Sequence, residues 1–163
     1  MTRQGAPGFD GAKLRQCRQQ AGLTVSELAR AAGVSPQDVS RYESGTMSPG
    51  PDRLAALAVN TGVTPRDLVD EAVLGQGLKA LRVLAGLTQA GLAELAGPDM
   101  TVSRLRSLEM GKVRRLTHAD TASLAAALGT SKEAIRAAHH WDLEQTAQAS
   151  QTPLHDRRAD GSA

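Results

Sequence analysis

The sequence predicts an all-α protein that contains two tandem copies of one small five-helix unit. From Leu14 the chain reads LRQCRQQAGLTVSELARAAG, and from Leu78 it reads LKALRVLAGLTQAGLAELAG, with the shared residues 64 positions apart. An internal repeat of this kind indicates a duplicated structural unit, and 163 residues are enough for two small domains. Because the chain has one Phe, one Tyr and one Trp, its core must consist of Leu, Val and Ala, which suits short, closely packed helices.

The first predicted helix runs from Ala12 to Gln20. Leu14 and Cys17 recur at a spacing that gives one buried stripe, and Gly22 ends the helix. Cys17 lies opposite Leu81 in the repeat, so we interpret it as a small core residue rather than a reactive thiol. A single cysteine also excludes an internal disulfide and is typical of a reducing cytoplasm.

The second and third helices are predicted from their caps. Thr24 and Glu27 form the sequence pattern of a capping box, in which each side chain satisfies a free backbone N–H group. Gly33 then stops the second helix, because glycine adopts the left-handed turn conformation without steric cost. Ser35 is a natural N-cap for the third helix, and Pro36 suits its first position.

The fourth and fifth helices of the first copy are predicted from the same signals, apolar periodicity and cap residues. Pro51 to Asn60 has the apolar stripe of a buried helix face. Thr64 to Asp67 repeats the cap and proline of the third helix and predicts that a fifth helix begins there. The first domain is therefore expected at residues 11–74, after a flexible N-terminus at residues 1–10 and before a short Gly-rich linker at residues 75–77.

The second copy, expected at residues 78–147, diverges at one turn. After Gly97 the chain reads PDMTVSRLRSLEMG, which is two residues longer than in the first copy. No apolar residue lies six positions after Gly97, so the third helix of this copy is expected to be displaced or to begin again at Thr101. The last helix is expected to begin at Lys132 and to reach about the end of the domain, and the polar residues 148–163 are expected to be disordered.

Charge is distributed unevenly between the two copies. Residues 10–72 hold seven basic and eight acidic residues, whereas residues 73–141 hold nine basic and five acidic residues. The second half is therefore the more cationic, which is a weak indication of a polyanionic partner. The sequence has no signal-peptide pattern and no stretch near the roughly 18 apolar residues of a membrane span. We therefore expect no membrane partner.

The segment from Thr24 to Tyr42 has the spacing of two helices that cross at a tight turn. Ala29 is small where the helices meet, Gly33 lies at the turn, and Val39 fills the angle between the helices. The phrase AGLTVSELARAAGVSPQDVSRYESG resembles the signature of phage-repressor and Cro-like (XRE-type) helix-turn-helix regulators, and AGLTQAGLAELAG followed by LEMGK is similar in the second copy. The resemblance implies two lambda-repressor-like domains in a transcriptional regulator that binds double-stranded DNA in the cytoplasm, at the nucleoid.

In that family an arginine of the first helix pairs with a glutamate at the end of the third, or recognition, helix. The matching positions are Arg18 with Glu43 and Arg82 with Glu109. The resemblance therefore implies two structural ion pairs, and a partly buried Arg–carboxylate fork suits that role. The alternative for both glutamates is ordinary solvated surface.

The resemblance also places residues at a DNA interface. The positions that match the base-reading face are Ser35, Gln37, Ser40 and Arg41. Arg41 could bind a guanine edge and Gln37 an adenine edge through two hydrogen bonds each, although Arg41 could also be a solvated charge and Ser35 only a cap. Phosphate contacts are expected from hydroxyl, amide and basic groups at Thr24, Thr46, Thr88, Gln89, Arg104, Arg106, Lys112, Arg114 and Arg115.

These positions suggest a division of labour between the two copies. The first copy has Val25 where the family often carries a phosphate-binding glutamine, whereas the second keeps Gln89. We expect the first copy to read bases and the second to bind mainly the DNA backbone or a divergent half-site.

Other functions have less support in the sequence. His139, His140 and Asp142 are the densest polar cluster, but neighbouring histidines lie on different faces of a helix, so we expect no metal site, no cofactor and no enzyme activity. The main alternative is a protein-interaction adaptor of the same fold, such as an antitoxin, an anti-activator or a coactivator-like protein. The sequence leaves open both a homodimer and a protein partner.

Overall fold

Helices are the regular elements of residues 5–151, the part of the chain that the computed structural model describes. The first module consists of α1 (Gly11–Gln20), α2 (Val25–Ala32), α3 (Pro36–Glu43), α4 (Pro51–Thr61), a 3-10 turn (Pro65–Leu68) and α5 (Glu71–Leu74). The second module consists of α6 (Leu78–Leu84), α7 (Gln89–Ala96), α8 (Val102–Glu109), α9 (His118–Leu128) and α10 (Lys132–Gln151). None of these helices is both long enough and apolar enough to cross a membrane.

The helix starts are set by side-chain caps, of which the sequence predicts those at Thr24, Ser35 and Thr64 but not the one at Asp10. Asp10 caps α1 by accepting hydrogen bonds from the N–H groups of Ala12 and Lys13, so α1 begins one residue before the predicted start. The capping box of Thr24 and Glu27 is complete. Each cap satisfies N–H groups that have no partner within the helix, which fixes the first turn.

The N-terminal segment is not a loose lead-in over the residues that the structure describes. The N–H group of Ala6, a buried residue, donates to the carbonyl of Pro49 at 2.8 Å. The ring of Phe9 packs edge-on against that of Tyr42, with centroids 6.3 Å apart. The expectation of a flexible N-terminus is therefore wrong for residues 5–10, and residues 1–4 lie outside the described part.

This segment also explains why the predicted fifth helix is interrupted. The Thr64 capping box forms, but it opens only a four-residue 3-10 turn, and Val69 is extended. Phe9 and Val69 form an isolated antiparallel bridge, and the N–H group of Asp70 donates to the carbonyl of Gly8 at 2.7 Å. Pairing with the N-terminal segment draws these backbone groups out of a helix, so α5 is a separate four-residue helix.

Each module has its own core, and the cores are built mainly from leucine. In the first module the fully buried large side chains are Leu14, Leu28, Tyr42, Leu54, Leu57 and Leu68. In the second module they are Leu78, Leu92, Leu105, Leu108, Leu124 and Ile135. Cys17 packs against the first core, as expected of a small apolar residue.

The two modules pack directly on each other. Ala80 and Val83 of α6 are buried within the core of the first module, and Leu84 packs against it. The linker is also enclosed, because a β-carbon on Gly75 would meet the ring of Trp141 and one on Gly77 would meet the carboxylate of Asp142. Residues 75–77 therefore form a packed connection.

The last helix is longer than the sequence predicts. It continues through Ser150, whose hydroxyl donates to the carbonyl of Thr146 at 2.8 Å, and ends at Gln151. The expected disorder is therefore wrong for residues 148–151. The remainder of that tail, residues 152–163, lies outside the described residues.

Candidate nucleic-acid interface

The turn between α2 and α3 has the geometry of a helix-turn-helix. Gly33 adopts the left-handed conformation, with φ 66° and ψ 34°. Ala29 and Val39 are buried where the two helices meet. Because Val39 and Tyr42 fix the inner face of α3, the opposite face of this helix is held toward solvent.

An ion pair locks the end of α3 to α1. Arg18 donates from Nε to Oε1 of Glu43 at 2.5 Å and from Nη2 to Oε2 at 3.1 Å. Its remaining nitrogen Nη1 donates to the carbonyl of Leu23 at 2.8 Å, next to the start of α2. The hydrogen bond to Glu43 raises the pKa of Arg18 above its ordinary value. The pair therefore joins the first three helices into one frame.

The second module repeats this frame and extends it. Arg82 donates to Glu109 through Nε at 2.5 Å and through Nη2 at 3.2 Å, and to the carbonyl of Leu87 at 2.9 Å. Gln89 adds a third donor to the same carboxylate, at 2.7 Å. The first module has Val25 at the matching position. Glu109 therefore ties the start of α7 to the end of α8 as well.

The outer face of α3 presents the residues that the family resemblance assigns to base reading. Ser35, Gln37, Ser40 and Arg41 are all exposed. The Ser35 hydroxyl caps the helix by accepting from the N–H group of Asp38, and Ser40 donates to the carbonyl of Pro36. Both serines are thus engaged in the helix itself. Arg41 is half exposed and lies 3.9 Å from Asp38, which leaves Gln37 and Arg41 as the long polar side chains of this face.

The starts of α2 and α7 differ in their caps. In α2 the carboxylate of Glu27 accepts from the N–H group and the hydroxyl of Thr24, and these bonds lower the pKa of Glu27. In α7 the matching residues are Thr88 and Gly91, and the Thr88 hydroxyl accepts from the N–H group of Gly91 at 3.0 Å. Helix α7 therefore has no capping carboxylate of its own, and the carboxylate at its start is that of Glu109, which accepts from the Gln89 side chain.

The longer turn of the second module is resolved as a restart of the helix. Gly97 has φ 100° and ψ 177°, a positive-φ conformation that favours glycine but differs from the left-handed helical turn of Gly33. The inserted residues bring Met100 into the core, and α8 begins again at Thr101, whose hydroxyl caps it. Leu105 then occupies the buried position that Val39 has in the first module. The restart at Thr101 is as the sequence predicts.

The outer face of α8 differs from that of α3. Ser103 and Ser107 lie at the positions of Gln37 and Arg41, whereas the exposed Arg106 lies at the position of Ser40, so the long donor of this face stands at a different position from those of α3. Arg104 is tied to Asp120 on α9 by two hydrogen bonds, at 2.9 and 2.6 Å. Together with bonds from Thr117, Arg104 lowers the pKa of Asp120 to about 2.

A basic loop follows α8. Lys112, Arg114 and Arg115 are exposed between α8 and α9. Two residues of α10 hold the loop in place: Nε2 of His139 is 2.7 Å from the carbonyl of Val113, and the hydroxyl of Thr146 donates to the carbonyl of Met110. The three cations are therefore presented on an anchored backbone.

A cleft of about 640 Å³ lies between the two modules. Its walls include Pro51 and Arg53 at the start of α4 in the first module, and Thr88 and Arg106 in the second. Lys79 of α6 also lines it. Arg53 and Lys79 were not predicted as site residues, because only the packing of the modules brings them next to the predicted phosphate contacts.

Residues 5–151 contain no group of three metal-binding side chains. His139 and Asp142 are buried, whereas His140 is exposed and lies 3.5 Å from Glu144. The two histidines therefore face different environments, as the helical register predicts.

Comparison with known proteins agrees with this geometry. The helix-turn-helix domain family matches residues 11–72 and again residues 73–138. The HTH-type transcriptional regulator DdrOP3 of Deinococcus deserti is 33% identical over 107 residues, which cover 63% of this chain and 79% of that protein. The HTH-type transcriptional regulatory protein PAE1627 of Pyrobaculum aerophilum is 44% identical over 52 residues, which cover 32% of this chain and 20% of that protein. The chain therefore belongs to the helix-turn-helix domain family and carries two tandem copies of the domain.

Proposed function

We propose that this protein is a sequence-specific DNA-binding transcriptional regulator whose first module reads bases and whose second module binds the DNA backbone. The family, and two relatives whose names describe transcriptional regulators, support the general function. The observation that carries the proposal is the outer face of α3, where Gln37 and Arg41 are exposed on a helix held by a buried ion pair.

Base reading by α3 follows from its side chains and its rigidity. Arg41 can donate two hydrogen bonds to a guanine edge, and Gln37 can donate and accept at an adenine edge. A helix that enters the major groove must hold such groups in fixed positions. The contacts of Val39, Tyr42 and Glu43 supply that fixed frame.

Backbone binding by the second module is supported by charge and by the absence of a capping carboxylate within α7. The start of α7 offers N–H groups without the Glu27 carboxylate that blocks the start of α2, and helix N-termini attract anions. Arg106 lines the same cleft as Thr88, and the exposed loop cations Lys112, Arg114 and Arg115 add positive charge to the same module. Ser103 and Ser107 are short where α3 has Gln37 and Arg41, which leaves Arg106, at the position of Ser40, as the long polar side chain of this face, and we assign it to phosphate.

The structure narrows the proposed set of phosphate contacts. We leave out Thr24, because Glu27 occupies both its N–H group and its hydroxyl. We also leave out Arg104, because Asp120 neutralises its charge. Thr46 hydrogen bonds to Ser44 within the loop after α3 and keeps an exposed position. We leave out Gln89 as well, because its side-chain amide donates to Glu109. The proposed contacts are Thr46, Thr88, Arg106, Lys112, Arg114 and Arg115.

The proposal is tested by selecting bound fragments from random duplex DNA with the purified full chain. We expect one sequence to be enriched. Its affinity should exceed that of a scrambled duplex and should fall steeply as salt rises, because bound cations release counterions from DNA. A chain that enriches no sequence, and whose weak DNA binding is the same for all duplexes, would contradict the proposal and would favour the protein-interaction adaptor.

A further inference from the structure

Helix α6 has two apolar faces, and only one of them belongs to its own module. Leu78 is buried in the core of the second module, and Leu81 packs against that core. Ala80, Val83 and Leu84 instead pack into the first module. A helix with apolar residues on two sides has to be covered on both, so α6 is built to join the modules.

The matching helix of the first module lacks this second face. The residues of α1 that correspond to Ala80, Val83 and Leu84 are Gln16, Gln19 and Gln20, and all three glutamines are exposed. The duplicated helices therefore share their inner face but differ in their outer face. Only the first helix of the second copy therefore has the apolar outer face that makes the contact between the modules.

The surface that receives α6 is α4 of the first module. A β-carbon on Gly86, just after α6, would lie 2.5 Å from the β-carbon of Ala55, so the glycine permits a very close approach. The counterpart of α4 in the second module is α9, and the counterpart of α6 in the first is α1. The contact thus joins unlike surfaces, whereas two-fold symmetry joins like surfaces.

We infer that the two modules of one chain contact an asymmetric stretch of DNA and cannot read the two halves of a palindrome. This inference rests on the proposed function. Two protein modules that read the two halves of a palindrome must be related by a two-fold axis that coincides with that of the DNA. The contact of α4 with α6 does not relate the two modules by such an axis. The target of one chain is then a base-read element at α3, with backbone contacts on one side of it only.

Basic side chains of both modules line the cleft between them. The start of α4, with Arg53, lines the same cleft as Thr88 and Arg106 of the second module. Lys79 also lines it. Among the described residues, neither Lys79 nor Arg106 forms an ion pair within 4.0 Å. Their charge is available to the backbone that leaves the α3 element toward the second module.

The first test is the symmetry of the selected site and the number of chains bound to it. We expect each bound chain to occupy one element without internal two-fold symmetry, and hydroxyl-radical protection of the DNA backbone to extend past that element on one side. A palindromic element occupied by a single chain would overturn the inference while leaving the proposed function intact. Failure to enrich any sequence would instead overturn the proposed function.

The second test separates the modules. The variant with Val83→Gln and Leu84→Gln gives α6 two of the glutamines of α1, and Val59→Gln is the matched control, because Val59 is 74% exposed on α4. We expect the double variant to lose the one-sided protection and about tenfold in affinity, because rigid coupling of the modules is lost, with the same preferred bases. The control should behave as the wild type. Unchanged one-sided protection in a double variant whose circular dichroism is native would overturn the inference.

Discussion

The carboxylate of Asp142 accepts a hydrogen bond at 2.9 Å from the backbone N–H group of Leu78, a residue 64 positions earlier. Gly77, the residue before α6, has no side chain to cap that helix, and a β-carbon there would collide with the carboxylate. In the first module Asp10 caps α1 from the adjacent position. The second module therefore obtains the cap of its first helix from its last helix.

The Asp142 cap leads to a prediction about pH. Burial raises the pKa of Asp142 to about 6, and the charge of Glu109 adds a smaller increase. The hydrogen bond from the Leu78 N–H group acts in the opposite direction and lowers this pKa. The unfolded chain titrates near the ordinary value of about 3.9. At a pH between these two pKa values the folded protein binds more protons than the unfolded chain, so the free energy of unfolding falls as pH rises. Above the folded pKa the full loss of stability remains.

We therefore expect Asp142→Asn to raise stability relative to the wild type at pH 8, by on the order of 2 kcal/mol, and to have little effect at pH 4. The amide oxygen can still accept the Leu78 N–H bond without a buried charge. Urea unfolding of both proteins across this range measures the difference. A variant that is less stable than the wild type at pH 8 would show that the ionised carboxylate is favoured in this site.

The ion pair of Arg18 and Glu43 predicts strong coupling between the two side chains. Both are about one-tenth exposed, so Glu43→Leu leaves the guanidinium without its partner and should cost about 2–4 kcal/mol. The double variant Arg18→Met with Glu43→Leu should cost clearly less than the sum of the single changes, because no charge is left unpaired. Denaturant unfolding of the full cycle measures this. Additive losses would mean that the pair is not coupled.

If phosphate binds at the start of α7, adding one negative charge there should weaken DNA binding. Gly91→Glu places a carboxylate where Glu27 sits in the first module, so it should weaken binding to all duplexes and flatten the log–log salt slope by about one unit. Gly91→Gln is the control of equal size, and it should leave both quantities near the wild-type values. Equal behaviour of the two variants in a salt titration would argue that no phosphate lies at this helix start.

If the basic loop binds the DNA backbone, removing its charges should lower the affinity for DNA without changing the preferred bases. Replacing Lys112, Arg114 and Arg115 with Ala should lower affinity for selected and scrambled duplexes alike and flatten the salt slope by about one unit for each lost contact. The preferred bases should remain the same. Lys132→Ala, an exposed lysine at the start of α10, serves as a control of the same type. A slope that the triple variant does not alter would place this loop away from DNA.

The parts of the fold that the sequence predicts are those set by residues close together in the chain. The caps at Thr24 and Ser35, the turn at Gly33 and the restart at Thr101 depend on neighbours within a few positions. Periodicity and cap chemistry are local signals, so these elements could be predicted from sequence alone.

The parts that were missed depend on contacts between distant segments. The pairing of Phe9 with Val69 interrupts the predicted fifth helix, and the bond from Arg104 to Asp120 occupies a side chain that was predicted to contact phosphate. Neither has a local pattern. The module interface does have a local sequence pattern, since Val83 and Leu84 are apolar where the first copy has glutamines. This pattern indicates an interface only when it is known which face of α6 is already buried in its own module.

The most direct test of the central claim, that α3 reads bases while the second module holds the backbone, is the binding of Arg41→Ala to selected and scrambled duplexes. We expect affinity for the selected site to fall by about 1–3 kcal/mol and the preference at one base position to relax. Affinity for scrambled DNA should stay near the wild-type value, because the backbone contacts lie elsewhere. Equal losses on both duplexes would contradict the claim, since they would show that Arg41 contacts only phosphate.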